Sequence, residues 1–306
     1  MKHVVSVDQF DKDLLKQLFF SATNLSKHFN EPSLRHHLLY KHTGKLMFNI
    51  FYEPSTRTRM SFDTAAQYMG LRVSTTENAE HSSSSSKGET LEDSIKVLNQ
   101  YQPAAIVLRH FQTGAALRAS KVSQAPIINA GDGKGEHPTQ ALLDAYTIYK
   151  KCGQLTDLKI VIGGDLKHGR TARSLVKLLA QYKGNHFSFV STRALGMEPD
   201  ILAVLDERGV SYSQSDDMKQ AFSDADVVYW TRLQKERLDG LDIGSGGFVI
   251  DNQSLKELAS HAIIMHPLPR VDEILPEIDS DERAFYFKQA GNGMFIRMAL
   301  LDYILS

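Results

Sequence analysis

The stretch KLMFNIFYEPSTRTR, residues 45–59, joins an apolar run to a polar segment rich in hydroxyls and guanidiniums. Residues 45–52 predict a buried strand, because a short apolar run that ends in turn residues is typical of parallel sheets. Beyond the polar segment, apolar residues recur at helical spacing, at Phe62, Ala65, Ala66 and Met69. A strand, a polar turn and a helix in this order predict the repeating unit of an α/β fold.

The same alternation continues to the end of the chain. Further strands are predicted at residues 104–108, 126–130, 160–162, 187–190, 226–230 and 262–266. Helices are predicted at residues 138–150 and 199–208, and a closing helix at 291–304. This pattern predicts parallel sheets with helices on both faces. Because 306 residues are long for one core, we expect two such domains joined by interdomain helices.

Composition narrows the functional classes. The net charge of −1 argues against a general nucleic-acid surface, which would show a basic excess. Cys152 is the single cysteine, so neither an intrachain disulfide nor a thiolate metal cluster is expected. No apolar run reaches the roughly 18 residues that span a membrane, and the first residues lack an apolar signal core. We therefore expect a cytoplasmic protein that binds neither nucleic acid nor membrane.

The residues that follow the predicted strands carry the chemistry, since ligands of such sheets collect beyond the carboxyl ends of the strands. After the first strand come Ser55, Thr56, Arg57 and Thr58, at the start of a helix. Free amides at a helix start attract anions, and a guanidinium suits phosphate oxygens. The alternative is an ordinary serine-capped helix with solvated arginines.

Other strand ends carry further candidates. Arg109 follows the second strand, and His137 and Gln140 lie one turn apart after the third, where a neutral histidine can polarise a carbonyl oxygen. Arg170 and Arg232 follow two strands of the second half and together suit a dicarboxylate, although each alone would usually be a surface residue.

Two segments remain open to different interpretations. The turn Pro267-Leu268-Pro269 offers carbonyls that could accept hydrogen bonds from an amide, or it could be a rigid connector. The serine-rich run 81–86, followed by Lys87, could be a flexible linker. Its lysine could also reach a phosphate in a neighbouring site.

Together these motifs resemble the carbamoyltransferase family. The segments FYEPSTRTR (51–59), RH (109–110) and HPTQ (137–140) are similar to the family's carbamoyl phosphate site, and the resemblance covers essentially the whole chain. The segments GDLKHGRT (164–171) and HPLPRVDE (266–273) resemble the aspartate branch. The ornithine branch instead resembles H-C-L-P at the second segment, and its D-x-x-x-S-M-G stretch is not found here.

The resemblance implies that a carbamoyl group passes from carbamoyl phosphate to the amine of L-aspartate, an early step of pyrimidine biosynthesis. Residues 1–137, completed by a helix at 290–306, would bind carbamoyl phosphate, and residues 138–289 would bind aspartate. No metal or organic cofactor is expected, because carbamoyl phosphate is already activated. A carbamoyltransferase for another amine, a non-catalytic scaffold and a nucleotide-binding dehydrogenase are the alternatives. The dehydrogenase lacks its G-x-G-x-x-G spacing here.

The resemblance also implies a role for each site residue. The phosphate would be held by Ser55, Thr56, Arg57 and Thr58. The carbonyl oxygen would face Thr58, Arg109 and His137, and the amide nitrogen would face Gln140 and the turn Pro267-Leu268-Pro269. The carboxylates of aspartate would contact Arg170, Arg232, Gln234 and Lys87. The catalytic set is then Arg57, Thr58, Lys87, Arg109 and His137.

Assembly is the last implication of the resemblance. Ser83 and Lys87 would come from the adjacent subunit, which makes the active enzyme a homotrimer with shared active sites. Some relatives combine two trimers with separate regulatory chains, and this arrangement stays possible. The role of His168 in the 164–171 segment is left open.

Overall fold

The computed structural model describes residues 2–79, 88–232 and 248–306. The chain divides into two compact units, Met1–Leu143 with Gly291–Ser306, and Asp144–Ala290. The assignment of carbamoyl phosphate to one domain and aspartate to the other remains a prediction.

A four-stranded parallel sheet forms the centre of the first unit. Its strands are β1 (Leu46–Phe51), β2 (Arg72–Glu77), β3 (Ala105–His110) and β4 (Ile127–Asp132), in the order β2-β1-β3-β4. In the described residues, five α-helices precede or separate these strands: α1 (Lys12–His28), α2 (Pro32–Lys41), α3 (Thr56–Tyr68), α4 (Leu91–Asn99) and α5 (Ala115–Val122). The N-terminal segment extends the sheet at β4 through a parallel bridge between Val4 and Ile128.

The second unit is built on a five-stranded parallel sheet. Its strands are β5 (Lys159–Gly163), β6 (His186–Val190), β7 (Ser211–Ser215), β8 (Val227–Trp230) and β9 (Ile263–Met265), in the order β7-β6-β5-β8-β9. The part of the chain that the structure describes also contains the α-helices α6 (Pro138–Cys152), α7 (Arg170–Leu179), α8 (Pro199–Glu207), α9 (Met218–Phe222) and α10 (Tyr286–Leu305). Two parallel sheets with helices confirm the predicted α/β class. None of the helices in the described ranges is long and apolar enough to cross a membrane.

Two strands were missed in the sequence, and both lie at the edge of a sheet. β2 (RVSTTE) and β7 (SYSQS) each have a paired strand on one side only, and their residues are largely half-buried or exposed. An edge strand needs no continuous apolar run, so the hydrophobic pattern does not reveal it. The closing helix was also predicted too short, since α10 begins at Tyr286 rather than at residue 291.

Two glycines at the end of β5 let β8 pack closely against it. A Cβ on Gly163 would lie 2.1 Å from the ring of Trp230, and one on Gly164 would lie 2.1 Å from the carbonyl oxygen of Thr231. Gly164 also has a φ of +100°, a conformation that other residues rarely adopt. The pairing of Gly163 with Trp230 therefore depends on small residues at this point.

We expect Gly164→Ala to lower the free energy of unfolding by about 3 kcal/mol, because the strained φ and a contact with rigid backbone act together. Gly209→Ala is the matched control, since Gly209 also has a positive φ of +63° but a Cβ there would meet nothing within 4 Å. The control should cost about 1 kcal/mol. Urea unfolding of both variants measures the difference, and equal losses would contradict the close-packing argument.

Candidate active site

The start of α3 offers backbone donors to an anion. Ser55 is the N-cap residue, and its side chain makes no capping hydrogen bond. The first amides of a helix have no partner within the helix and attract negative charge. Thr56 and Arg57 are exposed beside them, whereas Thr58 is buried. The serine-capped alternative from the sequence is therefore wrong for Ser55, because its hydroxyl does not cap.

Buried polar contacts fix α3 against the sheet. Asp63 accepts hydrogen bonds from the Asn49 amide on β1 and, at 3.0 Å, from the Thr75 hydroxyl on β2. Arg297 of α10 donates to the Ser61 hydroxyl at 2.8 Å, and its guanidinium lies 4.9 Å from the centre of the Phe62 ring. These contacts hold the helix start at the carboxyl end of β1.

Arg109 lies at the end of β3 and not after it, because the strand continues two residues beyond the predicted end. Its Nη1 donates to the carbonyl oxygen of Ala130 at 3.3 Å, and its Nη2 lies 3.3 Å from Oε2 of Glu53. The side chain is only 15% exposed, so this orientation is constrained on two sides. The pairing of Glu53 with Arg109 was not predicted from the sequence, where Arg170 or Arg237, the latter outside the described residues, was the expected partner of Glu53.

His110, the next residue, is held as a neutral imidazole. Its Nδ1 accepts a hydrogen bond from the Gln112 amide at 3.0 Å, and its ring stacks on Phe111 with centroids 4.3 Å apart. Burial and the positive charge of Arg118 lower the pKa of His110 to about 4. A neutral ring keeps Nδ1 available as an acceptor, which closes the turn after β3.

His137 and Gln140 lie in the turn that starts α6, and both are buried. The amides of Gln140 and Ala141 donate to the His137 carbonyl at 3.0 and 3.1 Å. The loop before them is braced by Asp132, whose carboxylate accepts from the Gly114 amide at 2.9 Å and the Glu136 amide at 3.0 Å. Because hydrogen bonds fix the backbone on both sides of His137, the position of this residue is constrained.

Strand pairing brings these first-unit candidates to one edge of the sheet. Phe51 of β1 pairs with Arg109 of β3, and His110 pairs with Asp132 of β4. The start of α3 and the segments that carry Arg109 and His137 all follow neighbouring strands. Because the carboxyl ends of parallel strands meet at one edge of a sheet, these segments lie at that edge. The first unit thus gathers hydroxyls, a guanidinium, an imidazole and helix amides.

In the second unit, Arg170 is the first residue of α7 and follows β5. The loop before it is anchored by fully buried Asp165, whose carboxylate accepts from the His168 amide at 3.0 Å and contacts the His168 ring at 3.1 Å. Gly169 allows a close approach, since a Cβ there would lie 2.5 Å from the Asp165 carbonyl oxygen. His168, whose role the sequence left open, holds this loop against Asp165.

Arg232 follows β8, and the proline turn follows β9. Thr231, directly after β8, donates its hydroxyl to the Gly163 carbonyl at 3.0 Å, and Arg232 comes next, half-buried. β8 lies between β5 and β9, so the segments carrying Arg170, Arg232 and Pro267 follow three adjacent strands. Leu268 has a φ of +56°, and the Leu268–Pro269 peptide is cis.

Three predicted site residues, Ser83, Lys87 and Gln234, lie outside the described residues. Within the described ranges, no group of three or more histidine, cysteine, aspartate or glutamate residues is arranged to hold a metal ion. The fold and the site so far define an α/β protein with cationic and hydroxyl side chains at the carboxyl ends of both of its sheets.

Comparison with known proteins assigns the family. Residues 2–150 match the model of the aspartate/ornithine carbamoyltransferase carbamoyl-P binding domain, and residues 156–304 match that of the Asp/Orn binding domain. The chain is 48% identical to aspartate carbamoyltransferase 2, chloroplastic, of Pisum sativum, over 99% of this chain and 78% of the relative. The chain therefore belongs to the aspartate/ornithine carbamoyltransferase family, and it is a transferase.

Solved structures agree with this assignment. The catalytic subunit of aspartate transcarbamoylase from M. jannaschii superposes with a TM-score of 0.90 at 40% identity, covering 99% of this chain and 98% of that one. The Trypanosoma cruzi aspartate transcarbamoylase in complex with carbamoyl phosphate and aspartate gives a TM-score of 0.92 at 36% identity, covering 100% of this chain and 97% of that chain. The family predicted from the sequence motifs is confirmed.

The lowered pKa of His110 makes a testable contribution to stability. The folded pKa of about 4 lies below the ordinary value of 6.5, so between these values the unfolded chain binds the extra proton. Stability should therefore fall as the pH is lowered from 6.5 towards 4, by up to about 3 kcal/mol.

In His110→Asn the side-chain oxygen can still accept from Gln112 but does not titrate, so the unfolding free energy should depend less on pH in this range. Urea unfolding at several pH values measures both slopes, with the exposed His37→Asn as control. Identical slopes for the wild type and His110→Asn would contradict the argument.

Proposed function

We propose that the chain transfers the carbamoyl group of carbamoyl phosphate to the amine of L-aspartate, giving N-carbamoyl-L-aspartate and phosphate. The observation that carries the proposal is the common edge in the first unit where the start of α3, Arg109 and the His137 segment follow neighbouring strands. The names of the relatives and the two ligands of the Trypanosoma cruzi complex support this substrate pair.

The phosphate of carbamoyl phosphate fits the start of α3. The helix amides, the hydroxyls of Ser55, Thr56 and Thr58, and the exposed guanidinium of Arg57 are all donors to phosphate oxygens. Because the amides are fixed by the helix, they need no reorganisation when the dianion binds. This part of the site then sets the distance of the carbamoyl carbon from the sheet edge.

Carbonyl activation is the proposed role of Thr58, Arg109 and His137. The uncharged amine of aspartate attacks the carbamoyl carbon, the carbonyl oxygen becomes negative in a tetrahedral intermediate, and the bond to phosphate then breaks. The amine proton leaves with the phosphate. One positioned donor to such an oxyanion lowers the barrier by about 3–4 kcal/mol. Gln140 and the turn Pro267-Leu268-Pro269 bind the amide nitrogen in this proposal.

The acceptor is recognised through its two carboxylates. Arg170 and Arg232 follow the adjacent strands β5 and β8, and a guanidinium pairs with a carboxylate through two parallel hydrogen bonds. Ornithine carries one carboxylate and a side-chain ammonium, so it would place a positive charge among arginines. This charge difference favours aspartate over ornithine as the acceptor.

The wider context is also a proposal. We place the reaction early in pyrimidine biosynthesis, and we propose a homotrimer in which Ser83 and Lys87 complete the site of the adjacent subunit. Association of two trimers with separate regulatory chains is an extension of the same proposal. We propose a cytoplasmic location for the chain, whereas the Pisum sativum relative is named chloroplastic.

Arg57→Ala should lower kcat/KM for carbamoyl phosphate by at least about a hundred-fold, because the charge on the phosphate then loses a fixed partner. The assay follows radiolabelled carbamoyl phosphate with aspartate or ornithine as acceptor. Arg193→Ala is the control, since Arg193 is exposed in a 3-10 turn of the second unit. Transfer to ornithine but not to aspartate by the wild type would overturn the proposed acceptor.

Shared sites can be tested by mixing two inactive variants. Arg57→Ala and Lys87→Ala damage different contributions to one site, so each mixed trimer keeps one site with both residues intact. Random exchange of subunits should restore about one quarter of wild-type activity. The mixture is unfolded, refolded and assayed, with each variant treated alone as control. No recovery in mixtures of confirmed trimers would show that Lys87 acts within its own chain.

A further inference from the structure

His266, directly after β9, closes the proline turn with its side chain. The Leu268 amide donates a hydrogen bond to Nδ1 of His266 at 2.8 Å. An imidazole nitrogen that accepts this bond carries no proton, so the proton of the neutral ring lies on Nε2. Nε2 lies 2.7 Å from Oε1 of Glu273 and therefore donates to that carboxylate. The two contacts together select one tautomer and one ring orientation.

Glu273 is a fixed partner for this ring. It is buried, and its Oε2 accepts from the amides of Val271 and Asp272 at 3.2 Å each. Burial alone would raise the pKa of the Glu273 carboxyl, but the hydrogen bond from His266 and the backbone amides lower it on balance. Glu273 therefore stays a carboxylate and keeps the proton of His266 on Nε2.

The orientation of Leu268 also decides where a carbonyl points. The amide of Leu268 and the carbonyl of Pro267 belong to one peptide unit, and this unit is not cis, unlike Leu268–Pro269. In a trans peptide the N–H and the C=O point in opposite directions. Because the N–H points at the His266 ring, the Pro267 carbonyl points away from it. His266 thus fixes the direction of the Pro267 carbonyl through the Leu268 amide.

A buried network fixes the backbone of His266 as well. The His266 amide donates to Oε1 of Gln289 at 2.9 Å, and Nε2 of Gln289 donates to Asp144 at 2.6 Å. Asp144 also accepts from the Tyr229 hydroxyl at 2.8 Å. Burial raises the pKa of Tyr229 well above its ordinary value, so its hydroxyl keeps the proton that it donates. The turn is therefore anchored to α10, α6 and β8 within the second unit.

We propose that His266 is a positioning residue that fixes the direction of the Pro267 carbonyl, the acceptor that the proposed function assigns to the amide NH2 of carbamoyl phosphate, with Glu273 and Gln289 holding His266 in place. This inference rests on the proposed function. A fixed carbonyl acceptor favours a ligand that carries an NH2 group over one that carries a methyl group at the same place, since the methyl leaves the acceptor unpaired. The network therefore contributes selectivity for a carbamoyl over an acyl phosphate.

Two substitutions at His266 separate the contacts of the ring. In His266→Asn the side-chain oxygen lies near the position of Nδ1 and can still accept from Leu268. In His266→Gln the longer side chain carries its amide near the position of Nε2, so it retains Glu273 and loses Leu268. His42→Gln is the matched control, because His42 is also buried and also contacts a carboxylate, with Nε2 3.1 Å from Asp302.

The probes are two stable phosphonates, phosphonoacetamide, which carries the NH2 group, and acetonylphosphonate, which carries a methyl group instead. Calorimetry of the full-length protein measures both dissociation constants. His266→Gln should weaken phosphonoacetamide binding about ten-fold and acetonylphosphonate binding less than about two-fold, the loss expected for one directed hydrogen bond. His266→Asn and His42→Gln should stay within about three-fold of the wild type for both probes.

A merely structural role would weaken both probes together, so parallel losses in His266→Gln overturn the proposal, as does unchanged binding of phosphonoacetamide. If His266→Gln does not fold, Gln289→Met provides the same comparison from the backbone side, with the same selective loss expected. Failure of the proposed function is a separate result. In that case the wild type itself transfers no carbamoyl group to aspartate and binds neither phosphonate.

Discussion

Parallel strand pairing is the constraint on which the rest of the molecule depends. Each sheet is wholly parallel, so its strands end at one edge, and two of the pairings, β1 with β3 and β5 with β8, join strands that are not consecutive in sequence. Phe51 pairs with Arg109 and Gly163 with Trp230, which sets each following segment beside another. Site residues that are far apart in the chain are therefore positioned by backbone hydrogen bonds, before any side chain contributes.

After strand pairing, carboxylates do most of the positioning of the segments that carry the site residues. Asp63 holds α3, Asp132 braces the loop before His137, Asp165 holds the loop before Arg170, and Glu273 holds His266. Each accepts from more than one donor, which offsets the cost of burying or partly burying a charge. In a site that binds anionic substrates, such groups are tolerable because their charge is already taken up by protein donors.

The sequence was sufficient to locate cationic and hydroxyl residues at the strand ends, but not the carboxylates that hold the neighbouring segments. Arg57, Arg109 and Arg170 stand out because they follow apolar runs, and the periodic pattern locates those runs. Asp63 and Glu136 lie in ordinary polar stretches, and their contacts join residues that the chain separates, such as the amide of Val7 and the carboxylate of Glu136, 2.7 Å apart. The local sequence pattern does not reveal such pairs. β2 and β7 were missed for a related reason, since an edge strand can be polar.

In each unit a buried histidine accepts a hydrogen bond from a nearby backbone amide, a role that neither the sheet pattern nor the motifs reveal. His110 accepts from the amide two residues ahead, Gln112, and His266 does the same with Leu268, at 3.0 and 2.8 Å. An aspartate could close such a turn, but its negative charge would need further donors, as those of Asp132 and Asp165 do. A neutral imidazole supplies the acceptor without that charge, and its other nitrogen remains a donor. A neutral acceptor that closes the turn after a strand is therefore the role shared by the buried histidines at the ends of β3 and β9.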